Sequence, residues 1–248
     1  MISFNKEQIY LVTGASSGLG EGTALLLNEL GATVIGIARN EDRLKKMKEK
    51  CKRPENMHLE IKDLTEDIEG LSAYTKELKN KYGKFSGMAY CAGISDIKPT
   101  QLLNYRDVEY MFKINYFAPL FFTKGILDRR NNIGKGTSIV AISSIEHVLN
   151  EKGMTAYAST KSALVSAFKC MAAEVASSGV RINTISPSDI KTPMTMCSEA
   201  QSLREGREKK YPMGFGEISD VSTFITFLLS SSTKWITRQD YIIDCGLV

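Results

Sequence analysis

The chain has 248 residues, 43% hydrophobic and 24% charged, close to globular averages, which excludes a disordered, collagenous or coiled-coil chain and leaves enough apolar side chain for a full core. Its net charge is +4, with only two histidines and five cysteines, and no Cys-x-x-Cys. Neither a disulfide framework nor a metal site is expected, and the cysteines read as small reduced hydrophobes.

No apolar run approaches the roughly 18 residues of a membrane span. The opening stretch lacks a charged-then-apolar export pattern, so a cytoplasmic protein without a membrane partner is expected. Short runs rich in Val and Ile then alternate with longer amphipathic stretches. In chain order, strands are predicted at 8–13, 33–38, 57–62, 86–92, 137–143, 181–186 and 241–243. Helices are predicted at 18–30, 41–51, 68–81, 102–127, 156–176 and 218–229. Near-continuously apolar strands separated by helices imply parallel pairing buried on both faces. The expected fold is α/β: a single-domain, doubly wound (Rossmann) parallel sheet of seven strands with helices on both faces, spanning residues 1–248. The weaker pattern at 191–216 reads as a substrate loop.

The densest basic run, from Arg43 to Arg53, raises the question of nucleic acid. Leu44, Met47 and Cys51 recur there at helical spacing, and Glu41/Lys45, Asp42/Lys46 and Lys45/Glu49 are opposite charges four apart. That is the solvated face of an amphipathic helix, and no nucleic-acid partner is expected.

After the first strand comes Thr13-Gly14-Ala15-Ser16-Ser17-Gly18-Leu19-Gly20, running directly into a helix. Glycines at such a turn permit close backbone approach to a pyrophosphate, and the helix N-terminus offers it free N–H groups. Two rival readings fail. Gly14-Ala15-Ser16-Ser17-Gly18 fits the G-x-S-x-G elbow of serine hydrolases, but no histidine follows His147, where a late one is needed. A phosphate loop needs Lys then Ser/Thr after its last glycine, and Glu21-Gly22 stands there. At the end of the second strand, Arg39 takes a place where an acidic residue would accept from the ribose of NAD; an arginine suits the 2′-phosphate of NADP. NADP(H) is therefore favoured, with NAD(H) the alternative. Glu41 and Asp42 read as first-turn residues after the cap Asn40.

Tyr157-Ala158-Ser159-Thr160-Lys161 sets a phenol and an ammonium four apart on one helix face. Chance produces such pairs, so context decides. Ser144 lies at the end of the fifth strand, where open α/β sheets bind ligands. Asn115 is a polar residue inside the apolar run Ile114-Asn115-Tyr116-Phe117.

Taken in order, these residues resemble the short-chain dehydrogenase/reductase family, in its branch of about 250 residues. The likeness covers nearly the whole chain: the glycine turn at 13–20, Asp63-Leu64 after the third strand, and Cys91-Ala92-Gly93 after the fourth. Asn115, Ser144, Tyr157 and Lys161 follow, then Pro187, Ile190 and Thr192 after the sixth. The resemblance implies an oxidoreductase that interconverts a carbonyl and a secondary alcohol with a nicotinamide dinucleotide. It casts Tyr157 as acid/base, Ser144 as hydrogen-bond partner of the substrate oxygen, and Lys161 as holder of the ribose and modulator of the tyrosine. Asn115 would position Lys161 through a water. Gly14, Ser16, Ser17, Gly18, Leu19, Gly20, Arg39, Asp63, Leu64, Cys91, Ala92, Gly93, Pro187, Ile190 and Thr192 would join Tyr157 and Lys161 in binding the cofactor, with Asp63 on the adenine and Thr192 on the carboxamide. One ammonium about 4 Å from a phenol supplies roughly the 4 kcal/mol that lowers a pKa by three units, so Lys161 suffices to depress Tyr157 if it stays charged and close.

The sequence departs from the family at Cys91, often Asn, at Ser188, usually Gly, and at Asp244-Cys245-Gly246, which lacks a second glycine. Segments after Gly93, after Ser144 and at 192–216 are expected to line the substrate site, with His147, Met154, Met194 and Met196 among them and Arg204, Arg207, Lys209 and Lys210 nearby. The substrate is a small carbonyl or alcohol. A 3-oxoacyl-[acyl-carrier-protein] reductase is a specific alternative, with Arg129 and Arg130 as carrier contacts; a sugar or secondary-metabolite ketoreductase is equally open, and a catalytically silent nucleotide-binding protein is the remaining alternative. The resemblance also implies a homotetramer or a homodimer.

Overall fold

The computed structural model describes residues 2–196, 206 and 208–248. Cys197, Arg204 and Arg207 lie outside the described residues.

Seven strands pair in parallel in the order β3-β2-β1-β4-β5-β6-β7. They are β1 (Ile9–Thr13), β2 (Thr33–Ala38), β3 (Met57–Ile61), β4 (Gly87–Tyr90), β5 (Ser138–Ile142), β6 (Arg181–Pro187) and β7 (Asp240–Ile243). Leu11 is in register with Ile35 on one side and Met88 on the other, so the central strands are walled by apolar neighbours. Helices α1 (Gly18–Glu29) and α2 (Glu41–Glu49) cover one face, and α3 (Leu71–Tyr82) begins the other. There follow α4 (Tyr105–Phe112), α5 (Ala118–Leu127), α6 (Glu146–Leu149), α7 (Thr155–Val175) and α8 (Ile218–Leu229).

The core divides into two layers. On one face Leu27, Leu44, Met47, Val221 and Ile225 pack beneath α1, α2 and α8. On the other, Leu78, Phe122, Leu164 and Phe168 pack beneath α3, α5 and α7. The order of strands reverses direction between β1 and β4, and the crevice at their carboxyl ends is where such sheets bind ligands.

Two predicted helices differ in detail. The third starts at Leu71, because Asp67 turns the chain first by accepting the Gly70 N–H at 2.9 Å. The fourth, expected as one helix over 102–127, is divided by a π turn at Lys113–Phe117. The α2 helix confirms the amphipathic reading: Leu44 and Met47 are buried, while Lys45 pairs with Glu41 at 2.8 Å on the exposed side. The cysteines are expected to be buried, but among the described ones Cys170 is exposed and Cys51, Cys91 and Cys245 are only half-buried. No helix of the described residues is long and apolar enough to cross a membrane.

Candidate active site

Beyond β1 the chain turns through Gly14 at φ +66° and enters α1 at Gly18, φ +56°, conformations that a side chain disfavours. A Cβ on Gly20 would stand 2.3 Å from the Gly14 carbonyl oxygen, and one on Gly14 would stand 3.0 Å from the Ala92 nitrogen. Gly20 thus makes the tight turn fit but does not itself line the cleft, whereas Gly14, Ser16, Ser17, Gly18 and Leu19 do. No side chain caps the first turn of α1, so its N–H groups and dipole are available to an anion.

The neighbouring strand end is held without help from the side chain at 91. Thr13 Oγ1 accepts from the N–H groups of Cys91 and Ala92, both at 3.1 Å. Burial pushes the Cys91 thiol up to about 12, with a Thr23 hydrogen bond working the other way. It is a neutral wall residue beside Ala92 and Gly93.

Arg39, at the end of β2, donates to Tyr110 Oη at 3.0 Å and to Asp63 Oδ2 at 3.3 Å. Burial works against the Asp63 carboxylate, but hydrogen bonds from Thr65 and Arg39 outweigh it and hold it below its ordinary range. Arg39, Asp63 and Leu64 line this end of the cleft, and so do Asn40, Arg43 and Lys62. The helical spacing of the 43–53 run places Arg43 on the solvated face of α2, yet it lines the cleft. Its signal was the Asn40 cap, whose Oδ1 accepts the Arg43 N–H at 2.9 Å and brings the first turn of α2 back toward Arg39.

At the opposite end, Ser144, Tyr157 and Lys161 converge on the cleft. Burial pushes the Tyr157 phenol up to about 12; the Ser144 hydroxyl works the other way, and the carboxylates of Glu146 and Asp189 add to the rise. The expected depression by Lys161 is absent. Lys161 Nζ donates to the Ile142 carbonyl at 2.8 Å and stands 5.6 Å from the centre of the Tyr157 ring. Its own burial lowers the ammonium to about 8. Ser144 Oγ accepts the Glu146 N–H at 3.3 Å.

Asn115, 1% exposed, lies behind the cleft wall rather than on it. Its amide exchanges hydrogen bonds with Ile94, accepting from N at 3.0 Å and donating to O at 2.9 Å, and it donates to Thr160 Oγ1 at 3.1 Å. Within the π turn the Ile114 carbonyl accepts from the Tyr90 hydroxyl at 3.3 Å; such turns recur at functional sites.

Pro187, at the end of β6, and Ile190 and Thr192 beyond it line the cleft. A Cβ on Gly18 would stand 3.4 Å from Thr192 Cβ, so this segment closes over the glycine turn. Ser188, where glycine was expected, has no positive φ; its hydroxyl hydrogen-bonds Tyr211 Oη at 2.5 Å. Tyr211 donates to Asp189 Oδ2 at 3.1 Å. Cys245 takes the place of the missing glycine in a left-handed conformation, φ +61°.

Met154 and Met194 line the cleft, while His147, Met196, Lys209 and Lys210 do not. His147 turns to Asp240, and Lys210 pairs with Glu151 at 3.6 Å. Arg129 and Arg130 fall at the other end of the sheet, beside the Phe85–Asn132 bridge that precedes β4, away from the cleft mouth.

The cleft holds about 660 Å³, within the range of cofactor sites. Glycines with no room for a Cβ at one wall, an uncapped helix N-terminus and an arginine at one end all fit a dinucleotide. Comparison with known proteins agrees. The sequence model for short chain dehydrogenase matches residues 8–203. The chain is similar to 3-oxoacyl-[acyl-carrier-protein] reductase FabG of Thermotoga maritima, 29% identical over 97% of this chain and 98% of that one. The protein of that name from Rickettsia conorii is 30% identical over 96% of this chain and 95% of its own. A short-chain type dehydrogenase/reductase from Mycobacterium ulcerans superposes with a TM-score of 0.86 at 29% identity, over 99% of this chain and 91% of that one. Glycine turn, Ser–Tyr–Lys convergence and these matches lead to one conclusion: the chain belongs to the short-chain dehydrogenase/reductase family, and is an NAD(P)-dependent oxidoreductase acting on carbonyl and alcohol groups.

Proposed function

We propose that the chain reduces a small carbonyl substrate at the expense of NADPH, with Tyr157 as general acid. The observation that carries this reading is the convergence of Ser144, Tyr157 and Lys161 at one end of a cleft whose other end is lined by Arg39, Arg43 and Lys62. In this reading the α1 turn, Gly14 to Leu19, would hold the pyrophosphate, Asp63 and Leu64 the adenine, and Arg39 the 2′-phosphate. Cys91, Ala92 and Gly93 would form the floor, and Pro187, Ile190 and Thr192 would close the nicotinamide end. When bound, the nicotinamide supplies the two-electron reduction of the carbonyl carbon.

The chain's own residues handle the oxygen. Ser144 Oγ accepts from the Glu146 N–H, which leaves its O–H to donate to the substrate oxygen and stabilise the developing charge. Tyr157, held near 12 by burial, is protonated at neutral pH and gives its proton to that oxygen. The resulting phenolate lies about 5 units above pH 7, or roughly 7 kcal/mol uphill. Lys161 moved from the Ile142 carbonyl to within about 4 Å would offset some 4 kcal/mol of that. Asn115 acts at one remove, tying Thr160, beside Lys161, to the Ile94 loop.

Both sites belong to one sheet, which supports one domain over residues 1–248. Exposed Leu102, Tyr105 and Phe117 support self-association as a tetramer or dimer, and a cytoplasmic location fits the reduced thiols. A 3-oxoacyl-[acyl-carrier-protein] substrate is the second reading, favoured by the names of the relatives at 29% and 30% identity.

The test is NADPH oxidation against a panel of ketones, acyl thioesters and keto-sugars, repeated with NADH. Turnover of at least one class with NADPH preferred is expected. Consumption of neither dinucleotide with any carbonyl would overturn the reading.

A further inference from the structure

One histidine is held behind the active site, in a place that substrate binding does not account for. His147 Nδ1 lies 2.6 Å from the Ser144 carbonyl oxygen, and its Nε2 lies 3.1 Å from Asp240 Oδ2. Both side chains are largely buried, 14% and 6% exposed. A backbone carbonyl can only accept a hydrogen bond. The other Asp240 oxygen accepts from Thr184 Oγ1 at 2.6 Å and from Ser186 Oγ at 2.8 Å. The ring thus spans from the Ser144 carbonyl to β7, with an oxygen at each nitrogen.

We propose that His147 and Asp240 form a positioning pair for Ser144, in which the imidazole ties the edge strand β7 to the Ser144 carbonyl and fixes the direction of the serine hydroxyl. The inference rests on the role given to Ser144 above. His147 does not line the cleft, so it acts through Ser144 and not on substrate. The same carbonyl also accepts the His147 N–H at 3.2 Å, while Ser144 Oγ accepts the Glu146 N–H at 3.3 Å. Backbone and hydroxyl are thus pinned by one turn, and the ring is its only tie to β7 among the contacts described. Titratable groups reach this end of the sheet from several elements: Asp240 from β7, Glu146 from α6 itself, Tyr157 and Lys161 from α7, and Asp189 and Tyr211 from beyond β6.

Removing the ring releases the Ser144 carbonyl from β7, and turnover is then expected to fall while dinucleotide binding is kept.

The chain has only two histidines, so imidazole ¹⁵N NMR resolves them, with His147→Asn as the assignment. The expected result is a His147 ring hydrogen-bonded at both nitrogens, with the Nε2 signal shifted in Asp240→Asn. His147→Asn can keep a donor to the Ser144 carbonyl, and His147→Gln keeps only the reach to Asp240. The kcat of His147→Gln is expected to fall about tenfold or more, with KM for the dinucleotide little changed; His147→Asn falls less. A His147 ring with one nitrogen free of any hydrogen bond, or one indifferent to Asp240→Asn, overturns the proposal even if the enzyme is active. A ring tied at both nitrogens in a chain that turns over no carbonyl would sustain the pair and sink the functional reading instead.

Discussion

Lys161→Met separates what the buried ammonium does for chemistry from what it does to the fold. Burial lowers Lys161 from 10.5 to about 8. At about 1.36 kcal/mol per unit, that is a folded-state penalty of roughly 3 kcal/mol. The ammonium recovers part of this through its 2.8 Å hydrogen bond to the Ile142 carbonyl, whose loss costs about 1 kcal/mol. The methionine variant is therefore expected to be about 2 kcal/mol more stable at pH 7, which in a chain of this size raises Tm by about 4–8 °C. Because the folded value lies below the unfolded one, the penalty is fully present below about pH 8 and is relieved as pH rises toward 10.5. The stability gap should shrink accordingly. Urea unfolding of both ligand-free proteins at pH 7, 8.5 and 10 measures it. A gap of constant size across that range, or a methionine variant less stable at pH 7, refutes the reasoning. Turnover of the variant is expected to be lost throughout.

Other outcomes follow from the same geometry. Arg39→Ala should raise KM for NADPH about tenfold or more while leaving KM for NADH nearly unchanged; equal effects in steady-state assays would remove the 2′-phosphate role. Gly20→Ala brings a Cβ to 2.3 Å from the Gly14 carbonyl and should destabilise by about 1–3 kcal/mol, with weaker dinucleotide binding by fluorescence titration; unchanged melting and affinity would show that the turn has room to move. Asn115→Ala leaves Ile94 without its two hydrogen-bond partners and Thr160 without a third, a loss of roughly 1–3 kcal/mol that thermal denaturation reads directly. An unaltered melting curve would contradict the bracing role given to that side chain.

Most of the architecture was legible in the sequence, because strands buried on both faces leave continuous Val/Ile runs and because clustered glycines mark the turn from the first strand into a helix. Ser144, Tyr157 and Lys161 were also visible, fixed by a strand end and by one turn of a helix. The π turn was not. It inserts a single residue at 113–117 without interrupting the apolar pattern, so 3.6-residue periodicity runs through it. The Arg39–Tyr110 contact and the His147–Asp240 pair join residues far apart in the chain, which no local spacing encodes. Arg129 and Arg130 suited a carrier contact by charge alone, but the connection from α5 to β5 takes them to the far end of the sheet. The raised Tyr157 has the same kind of origin: sequence supplies the ammonium four residues away, whereas burial and the Ile142 carbonyl decide where its charge is spent.

The central claim is that Tyr157 delivers the proton from a cleft that binds the dinucleotide independently of it. Tyr157→Phe tests this most directly, assayed for NADPH consumption with a carbonyl substrate that the unaltered chain reduces and, in parallel, for NADPH binding by fluorescence titration. The account predicts loss of turnover by about a hundredfold or more, with dinucleotide affinity kept within a few-fold. Turnover that survives the change to within tenfold would contradict it.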